Sequence, residues 1–276
     1  MRIRKIECGN FKCDGGALFG VIPKALWTKY YPCDEMNRCN LTMRNLLVEV
    51  EEKKILIDVG SGMNFSDRYI RNNGVNASSH LLNSLKSIGV SPDEITDILL
   101  THLHWDHCCG AFDFGDGTHR ELFSNATYHV SDKQWINAHA NNPRESAAYH
   151  FEDLDLMEQS GRLNLLSNGA QPWEFLELFY MDGHTPGQII PVIHHEEQSV
   201  VFAADFIPTM SHIPQLWIAS YDLFPIDAMN EKIDFISMAY QKKWVLFFQH
   251  DYYNESAKIV SQSSSFKGEP FNTIVQ

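Results

Sequence analysis

A short apolar run that leads into a cluster of metal-ligand side chains constrains this chain more than any other feature. Residues 97–100 are predicted to form a buried strand, and the sequence THLHWDH follows them directly. Because alternate residues of a strand share one face, His102, His104 and Asp106 are expected to converge. His107 can turn to the same cavity from the loop beyond. Imidazole and carboxylate groups at this density predict a metal site, since the 276 residues include only 13 histidines.

Three more candidate ligands follow apolar runs that are predicted to be strands later in the chain. They are His184, Asp205 and His250. A single histidine is usually hydrogen-bonded locally or solvated, so each of these residues alone is weak evidence. Their shared position at strand ends makes them candidates, because rigid elements hold ligands with the precision that a metal site requires.

Strand and helix patterns alternate along the chain, and no linker rich in proline, glycine or serine divides it. The sequence therefore predicts one domain over residues 1–276, with an N-terminal segment at 1–45 and a metal-binding core at 46–250. Two hairpins with acidic turns form a faint internal repeat, and their second strands end in Asp58 and Asp205. This repeat favours two sheets covered by helices.

Apolar periodicity locates the individual elements. The predicted strands are 46–50, 55–58, 97–100, 126–130, 175–181, 188–194, 199–204 and 244–249. The predicted helices are 81–88, 132–140, 147–160 and 228–241, with a short capped turn at 91–94.

The charge balance argues against a nucleic-acid partner. The chain has 22 basic and 35 acidic residues, so its net charge is −13 with neutral histidine, and backbone phosphates repel a negative surface.

No N-terminal apolar run is long enough for a signal peptide, and no run of about 18 apolar residues predicts a transmembrane helix. The six cysteines are expected to be reduced thiols. The sequence thus predicts a cytoplasmic protein without a nucleic-acid or membrane partner.

The order and setting of the candidate ligands resemble the metallo-β-lactamase superfamily over about residues 46–250. The resemblance implies an α/β fold, the αββα sandwich of two mixed β-sheets flanked by helices. It implies one metal held by His102, His104 and His184, a second metal held by Asp106, His107 and His250, and Asp205 as the bridge between them. Asp58 matches an early strand-end aspartate of the family and is expected to give structural support rather than bind metal.

The second histidine of the motif separates reaction classes within the superfamily. Flavodiiron oxidoreductases carry glutamate at this position, whereas His104 is similar to the hydrolytic members. Residues 14–27 and 205–209 resemble the N-acyl-homoserine lactonase and methyl parathion hydrolase-like group. In that group the N-terminal loop helps to wall the substrate pocket and often forms a dimer interface. The resemblance assigns residues 1–45 the same role and leaves a homodimer open.

Two departures from that group bear on the substrate. Cys109 stands where a small glycine usually follows the motif. Phe206 and the two residues after it stand where the best-known lactonases carry a tyrosine beyond the bridging aspartate. His212 and Tyr221 are further candidates to line the pocket.

The resemblance implies a binuclear metallohydrolase with two divalent metal ions, zinc first and manganese, iron or cobalt as alternatives. A hydroxide shared by the metals would attack the carbonyl of a small-molecule lactone or ester, and an acyl-homoserine lactone is one such substrate. Asp106 is the candidate catalytic residue, because its carboxyl could pass a proton to the leaving alkoxide.

The sequence leaves three alternatives to a lactone or ester hydrolase. The same metal pair could hydrolyse a phosphotriester, because both reactions develop negative charge on oxygen. A metal-dependent nuclease, which the superfamily also contains, is disfavoured by the net charge of −13. A non-catalytic metal-binding protein on the same scaffold would be expected to have lost ligands, whereas all the ligand positions are filled.

Overall fold

The computed structural model describes residues 1–62, 65–76, 80–113, 120–196, 198–262 and 265–272. These residues form two compact units that are interleaved in the sequence. The first unit comprises residues 1–10 and 43–168, and the second comprises 11–42 and the described residues from 169 onward. Because the chain passes from one unit to the other and back, no linker in the sequence marks a boundary. The assignment of one domain to residues 1–276 stays a prediction.

A six-stranded mixed sheet forms the centre of the first unit. The strands are, in chain order, β1 (Arg2–Asp14), β2 (Arg38–Val50), β3 (Lys53–Ile57), β4 (Asp97–Leu99), β5 (Phe112–Asp113), β6 (Arg120–Glu121), β7 (Thr127–Ser131) and β8 (Leu163–Leu166). The sheet order is β1-β2-β3-β4-β7-β8, and β5 pairs with β6 separately. β2 and β3 form the predicted hairpin, whose turn places Glu51 at a φ of 52°.

The strands from β3 to β8 in this sheet run parallel, and the apolar side chains of β3 and β4 are buried. Parallel strands are covered on both faces, which is why these two strands read as continuous apolar runs in the sequence.

The second unit is built on another six-stranded mixed sheet. Its strands are β9 (Leu176–Met181), β10 (Gln188–Ile193), β11 (Val200–Phe202), β12 (Val245–Phe247), β13 (Ser256–Gln262) and β14 (Ser265–Pro270). Neighbouring strands follow the order β14-β13-β12-β11-β10-β9. β11 and β12 are parallel, and the other pairs are antiparallel.

Helices flank the sheet within each unit. They are, in chain order, α1 (Gly15–Phe19), α2 (Lys24–Trp27), α3 (Asp67–Asn73), α4 (His80–Ser87), α5 (Trp105–Cys108), α6 (Asp132–His139), α7 (Phe151–Gln159) and α8 (Pro225–Gln241). In the first unit α6 packs against β7 and β8, and in the second unit α8 packs against β13. Two mixed sheets flanked by helices are what the αββα prediction requires.

Two predicted helices have different bounds in the structure. The helix predicted at 147–160 is a 3₁₀ turn at Ser146–Ala148 followed by α7. The helix predicted at 228–241 begins earlier, at Pro225, because proline is well suited to the first turn of a helix. Within the described parts of the chain, no helix combines the length and apolar character that crossing a membrane requires.

Candidate metal centre

The motif after β4 leaves the sheet earlier than the sequence predicted. β4 ends at Leu99, the next residues form neither helix nor strand, and Trp105–Cys108 is the helical turn α5. The two-residue period of a strand therefore does not explain how His104 and Asp106 are placed, and that part of the prediction was wrong. A loop followed by a helical turn brings the side chains of the motif together instead.

Four predicted ligands of the first unit lie side by side and are buried. The Nε2 of His102 is 2.9 Å from the Nδ1 of His104, and the ring centroids of His102 and His107 are 3.9 Å apart. The Nε2 of His107 lies 3.7 Å from a carboxylate oxygen of Asp106. We call these four residues the first-unit cluster.

Two carboxylates orient the imidazoles of the first-unit cluster. Asp58 accepts a hydrogen bond from the Nδ1 of His107 at 2.8 Å, and it also accepts from the backbone N–H and the hydroxyl of Thr101. Glu145 accepts a hydrogen bond from the Nε2 of His104 at 3.0 Å. A ring nitrogen that donates to a carboxylate carries a proton, so in the neutral imidazole the other ring nitrogen offers a lone pair. In both residues that second nitrogen faces another predicted ligand.

Three predicted ligands lie together in the second unit because the strands before them end at one edge of its sheet. β11 and β12 are parallel and in register, so Asp205 and His250 follow neighbouring strand ends. β9 runs in the same direction as β11, because both pair antiparallel with β10, and His184 follows β9. The two carboxylate oxygens of Asp205 lie 2.6 Å from the Nε2 of His250 and 3.2 Å from the Nε2 of His184. We call these three buried residues the second-unit cluster.

Each histidine of the second-unit cluster also has a partner on its other ring nitrogen. The Nδ1 of His184 donates to Asp222 at 2.8 Å, and the Nδ1 of His250 donates to the backbone carbonyl of Thr42 at 2.7 Å. Burial raises the pKa of the Asp222 carboxyl, and the hydrogen bond from His184 opposes that rise. In the neutral tautomer that these bonds support, the Nε2 atoms of both histidines offer lone pairs, and both face Asp205.

The ligand chemistry of both clusters fits a divalent cation. Lone pairs on imidazole nitrogens face the carboxylate oxygens of Asp106 and Asp205, an arrangement that is repulsive unless a cation or a proton lies between them. Imidazole and carboxylate are the ligands that zinc and other borderline metals take in proteins. The histidine and aspartate groups therefore suggest divalent metals.

Sequence reasoning missed most partners of these histidines. Glu145 is 41 residues from His104, and Asp222 is 38 residues from His184, so no local spacing links them. Thr42 acts through its backbone carbonyl, which carries no sequence signal. Asp58 is the one carboxylate partner that the sequence predicted, because it directly follows a predicted strand.

His212 is held by hydrogen bonds within the second unit. Its Nε2 donates to the backbone carbonyl of Leu18 at 2.8 Å, and its Nδ1 lies 2.7 Å from the hydroxyl of Thr209. The ring stacks on Phe19, with centroids 4.9 Å apart. Burial lowers the pKa of His212 to about 3, so the imidazole is neutral and both ring nitrogens have partners.

Cys109 and Phe206 depart from the lactonase pattern, and the structure shows where both side chains lie. Cys109 is buried in the 3₁₀ turn that follows α5. Phe206 is also buried, and it packs edge-on against Phe235 with ring centroids 5.3 Å apart. Tyr221 lies edge-on to the ring of His184, at a centroid distance of 5.7 Å. A tyrosine ring therefore lies beside one predicted ligand, although not at the usual place in the sequence.

Comparisons with known proteins agree with the fold. The family model described as "Metallo-beta-lactamase superfamily" matches residues 45–250. The N-acyl homoserine lactonase AiiA of Bacillus thuringiensis subsp. kurstaki is 25% identical to this chain over 232 residues, which cover 79% of this chain and 84% of the lactonase.

Two solved structures show the same architecture. A probable metal-dependent hydrolase from Staphylococcus aureus is 31% identical, with a TM-score of 0.86 over 93% of this chain and 91% of its own. AidC, a dizinc quorum-quenching lactonase solved with an N-acylated L-homoserine product, is 21% identical, with a TM-score of 0.80 over 98% of this chain and 94% of its own. These matches confirm the predicted αββα fold class.

Proposed function

Because this chain belongs to the metallo-β-lactamase superfamily, we propose that it is a metal-dependent hydrolase of small lactones or esters, with acyl-homoserine lactones as the first substrate class to test. One observation in particular supports this proposal. His104, His107, His184 and His250 each have one ring nitrogen engaged by a carboxylate or carbonyl and turn the other toward a further predicted ligand. Histidines that bind metal are oriented in this way.

The proposed ligands are the members of the two clusters. They are His102, His104, Asp106, His107, His184, Asp205 and His250. In this proposal they hold two divalent cations, zinc foremost, while the mixture of imidazole and carboxylate also admits manganese, iron or cobalt. When bound, such cations lower the pKa of water and polarise a carbonyl oxygen.

The residues of the chain have separate tasks in the proposed reaction. Asp106 lies in the first turn of α5, beside His107, and its carboxyl passes a proton to the alkoxide oxygen that leaves when the ester or lactone bond breaks. Asp58 and Glu145 keep the imidazoles of His107 and His104 in the tautomers that leave a lone pair for a metal. Small lactone substrates are proposed as the partners, and residues 1–45 as a wall of their pocket.

Replacing one ligand tests the metal assignment. We expect His104→Ala to lower hydrolysis by more than about a hundredfold and to reduce the metal content, because the change removes a ligand outright. His139→Ala is the matched control, since His139 is exposed on α6, its ring nitrogen bonds to a local backbone carbonyl, and it belongs to neither cluster. Full activity in His104→Ala protein with reduced metal content would refute the assignment.

A substrate panel tests the reaction class. Acyl-homoserine lactones, simple lactones, aryl esters and phosphotriesters are compared by kcat/KM on the metal-loaded protein. Phosphotriester hydrolysis is the second candidate, and the buried Phe206 in place of a tyrosine favours it, because the lactonase hydroxyl is missing there. A large margin for the phosphotriester would replace the lactonase proposal. Lack of turnover by fully metallated protein would instead support a non-catalytic metal-binding role.

A further inference from the structure

A third group of ligand-type side chains lies in the first unit, outside both clusters. It consists of Cys109, His150 and Asp153, and one potential ligand atom of each lies within 4.8 Å of the others. Cys109 belongs to the 3₁₀ turn after α5, His150 is the N-cap residue of α7, and Asp153 is in the first turn of that helix. The side chain of Asp153 is fully buried, and Cys109 is only 2% exposed.

The two oxygens of Asp153 lie next to the other two members of this group. The Oδ2 atom accepts a hydrogen bond from the Nδ1 of His150 at 2.8 Å. The Oδ1 atom is buried, and the thiol of Cys109 is the group that interacts with this carboxylate from the other side. The buried carboxylate therefore lies between an imidazole and a thiol, so three ligand-type groups converge at one place.

We propose that Cys109, His150 and Asp153 bind a third divalent cation of the zinc class, separate from the proposed hydrolytic centre. A thiolate, an imidazole and a carboxylate are all zinc ligands, and a thiolate and a carboxylate together balance the charge of the ion. The thiol proton passes to solvent when the ion binds. The His150 side chain is 28% exposed, which gives the ion a path to the site. This proposal does not depend on the hydrolase proposal.

The position of this site gives the bound ion a structural role. It would join the turn that directly follows the ligand motif to the beginning of α7. The segment just before α7 carries Glu145, which orients His104. An ion held by Cys109 and Asp153 would therefore restrain the backbone on both sides of the first-unit cluster.

Cobalt substitution distinguishes this site from the hydrolytic centre. None of the proposed hydrolytic ligands is a cysteine, so a thiolate-to-cobalt absorption band in the near ultraviolet would report on the third site. We expect purified, full-length protein loaded with Co²⁺ to show this band. Its absence at saturating Co²⁺ would overturn the proposal, whatever the outcome of the hydrolysis assays.

Three variants assign the band. Cys109→Ala is expected to abolish the absorption band and to lower the bound cobalt by about one equivalent per chain. Asp153→Asn is expected to weaken cobalt binding, so that a higher Co²⁺ concentration is needed to produce the band. Cys108→Ala is the matched control, because Cys108 is the neighbouring buried thiol and already bonds to the backbone carbonyl of Leu103. A band that survives in Cys109→Ala, or that is lost in Cys108→Ala, would also overturn the assignment.

Discussion

The orientation of His184 depends on one acceptor, Asp222, which is buried and bonds to its Nδ1 at 2.8 Å. We expect Asp222→Asn to weaken metal binding by about ten- to a hundredfold, because a neutral amide supports the imidazole less well than a carboxylate. The measurement is competition with a chelator of known affinity, together with kcat/KM. Glu177→Gln is the control, since Glu177 forms an analogous pair with His194 that is more than a third exposed. Equal metal affinities in wild type and Asp222→Asn would contradict the assigned role.

At His212, burial rather than a charged partner sets the protonation state. The pKa falls from 6.5 to about 3, so the unfolded chain binds a proton below about pH 6.5 while the folded chain stays neutral until about pH 3. Stability from this residue is thus complete above pH 6.5 and is lost as the pH falls toward 3. Of the charges that face it, Lys232 lowers its pKa further and Asp205 raises it.

This linkage predicts a weaker pH dependence in a variant without the imidazole. His212→Gln keeps an amide donor for the Leu18 carbonyl but does not titrate. Urea unfolding at pH 7 and pH 5 should show a smaller loss of stability in the variant than in the wild type. The other histidines are common to both proteins, so the difference isolates His212. Identical losses would mean that the imidazole is protonated in the folded state.

The predicted ligands and their partners differ in how visible they are in the sequence. His102 and His104 stand out because ligand-type residues crowd into one short segment after a strand. Glu145 is one of 35 acidic residues in the chain, and nothing near it in sequence distinguishes it from a surface glutamate. Its role depends on a contact across 41 residues, which only the folded backbone creates.

At the scale of elements, α8 supports the loop that carries His184. Glu231 on this helix accepts hydrogen bonds from the backbone N–H groups of Asp182 and Gly183, at 2.8 and 3.0 Å. The contact is close, since a Cβ added to Gly183 would lie 2.2 Å from the Cα of Ala228. The helix and the loop therefore form one packed contact immediately before the ligand.

Removing this contact should affect both stability and metal binding. We expect Glu231→Ala to lower the free energy of unfolding by about 2 kcal/mol and to weaken metal binding, because two backbone donors lose a carboxylate acceptor. Asp234→Ala, on the exposed face of the same helix, should change neither. The two quantities are measured by urea unfolding and by chelator competition. A Glu231→Ala variant with unchanged metal affinity would show that α8 does not position His184.

Strands with a continuous apolar pattern were predicted from the sequence. Strands that form only because they pair with a neighbouring strand were not predicted. β11 and β12 consist of buried apolar residues, and both strands were located from the sequence. β14 is largely exposed and polar, and it is a strand because it pairs with β13 at the sheet edge. The helical turn α5 was also missed, since four residues are too few for a helical period to be seen.

For the molecule as a whole, the sequence indicated the fold class but gave no sign of two interleaved units. The N-terminal segment, predicted as a loop over residues 1–45, includes β1, α1, α2 and the start of β2. β1 and β2 each continue as one strand across the boundary between the units, so no loop in the sequence marks it. Contacts distant in sequence, rather than local composition, define such units.

Metal removal tests the proposed centre at this scale, because metal binding is linked to the folding of the whole chain. A cation that binds the folded chain and not the unfolded chain stabilises it by about 2.7 kcal/mol at a concentration of a hundred times Kd. We expect a chelator to lower the melting temperature and Zn²⁺ to restore it, since burial of Asp106 and Asp205 beside unprotonated imidazole nitrogens is unfavourable without a cation.

Two variants show which site the melting temperature reports. In Cys109→Ala the chelator should still lower the melting temperature, because the two histidine-rich clusters are intact. In His104→Ala the shift should be smaller, because one ligand of the proposed hydrolytic centre is missing. Metal analysis before and after chelation establishes that the ions have left the protein. Equal melting temperatures of metal-loaded and metal-free wild type would contradict the proposed metal centre, since occupation of such a centre must favour the folded chain.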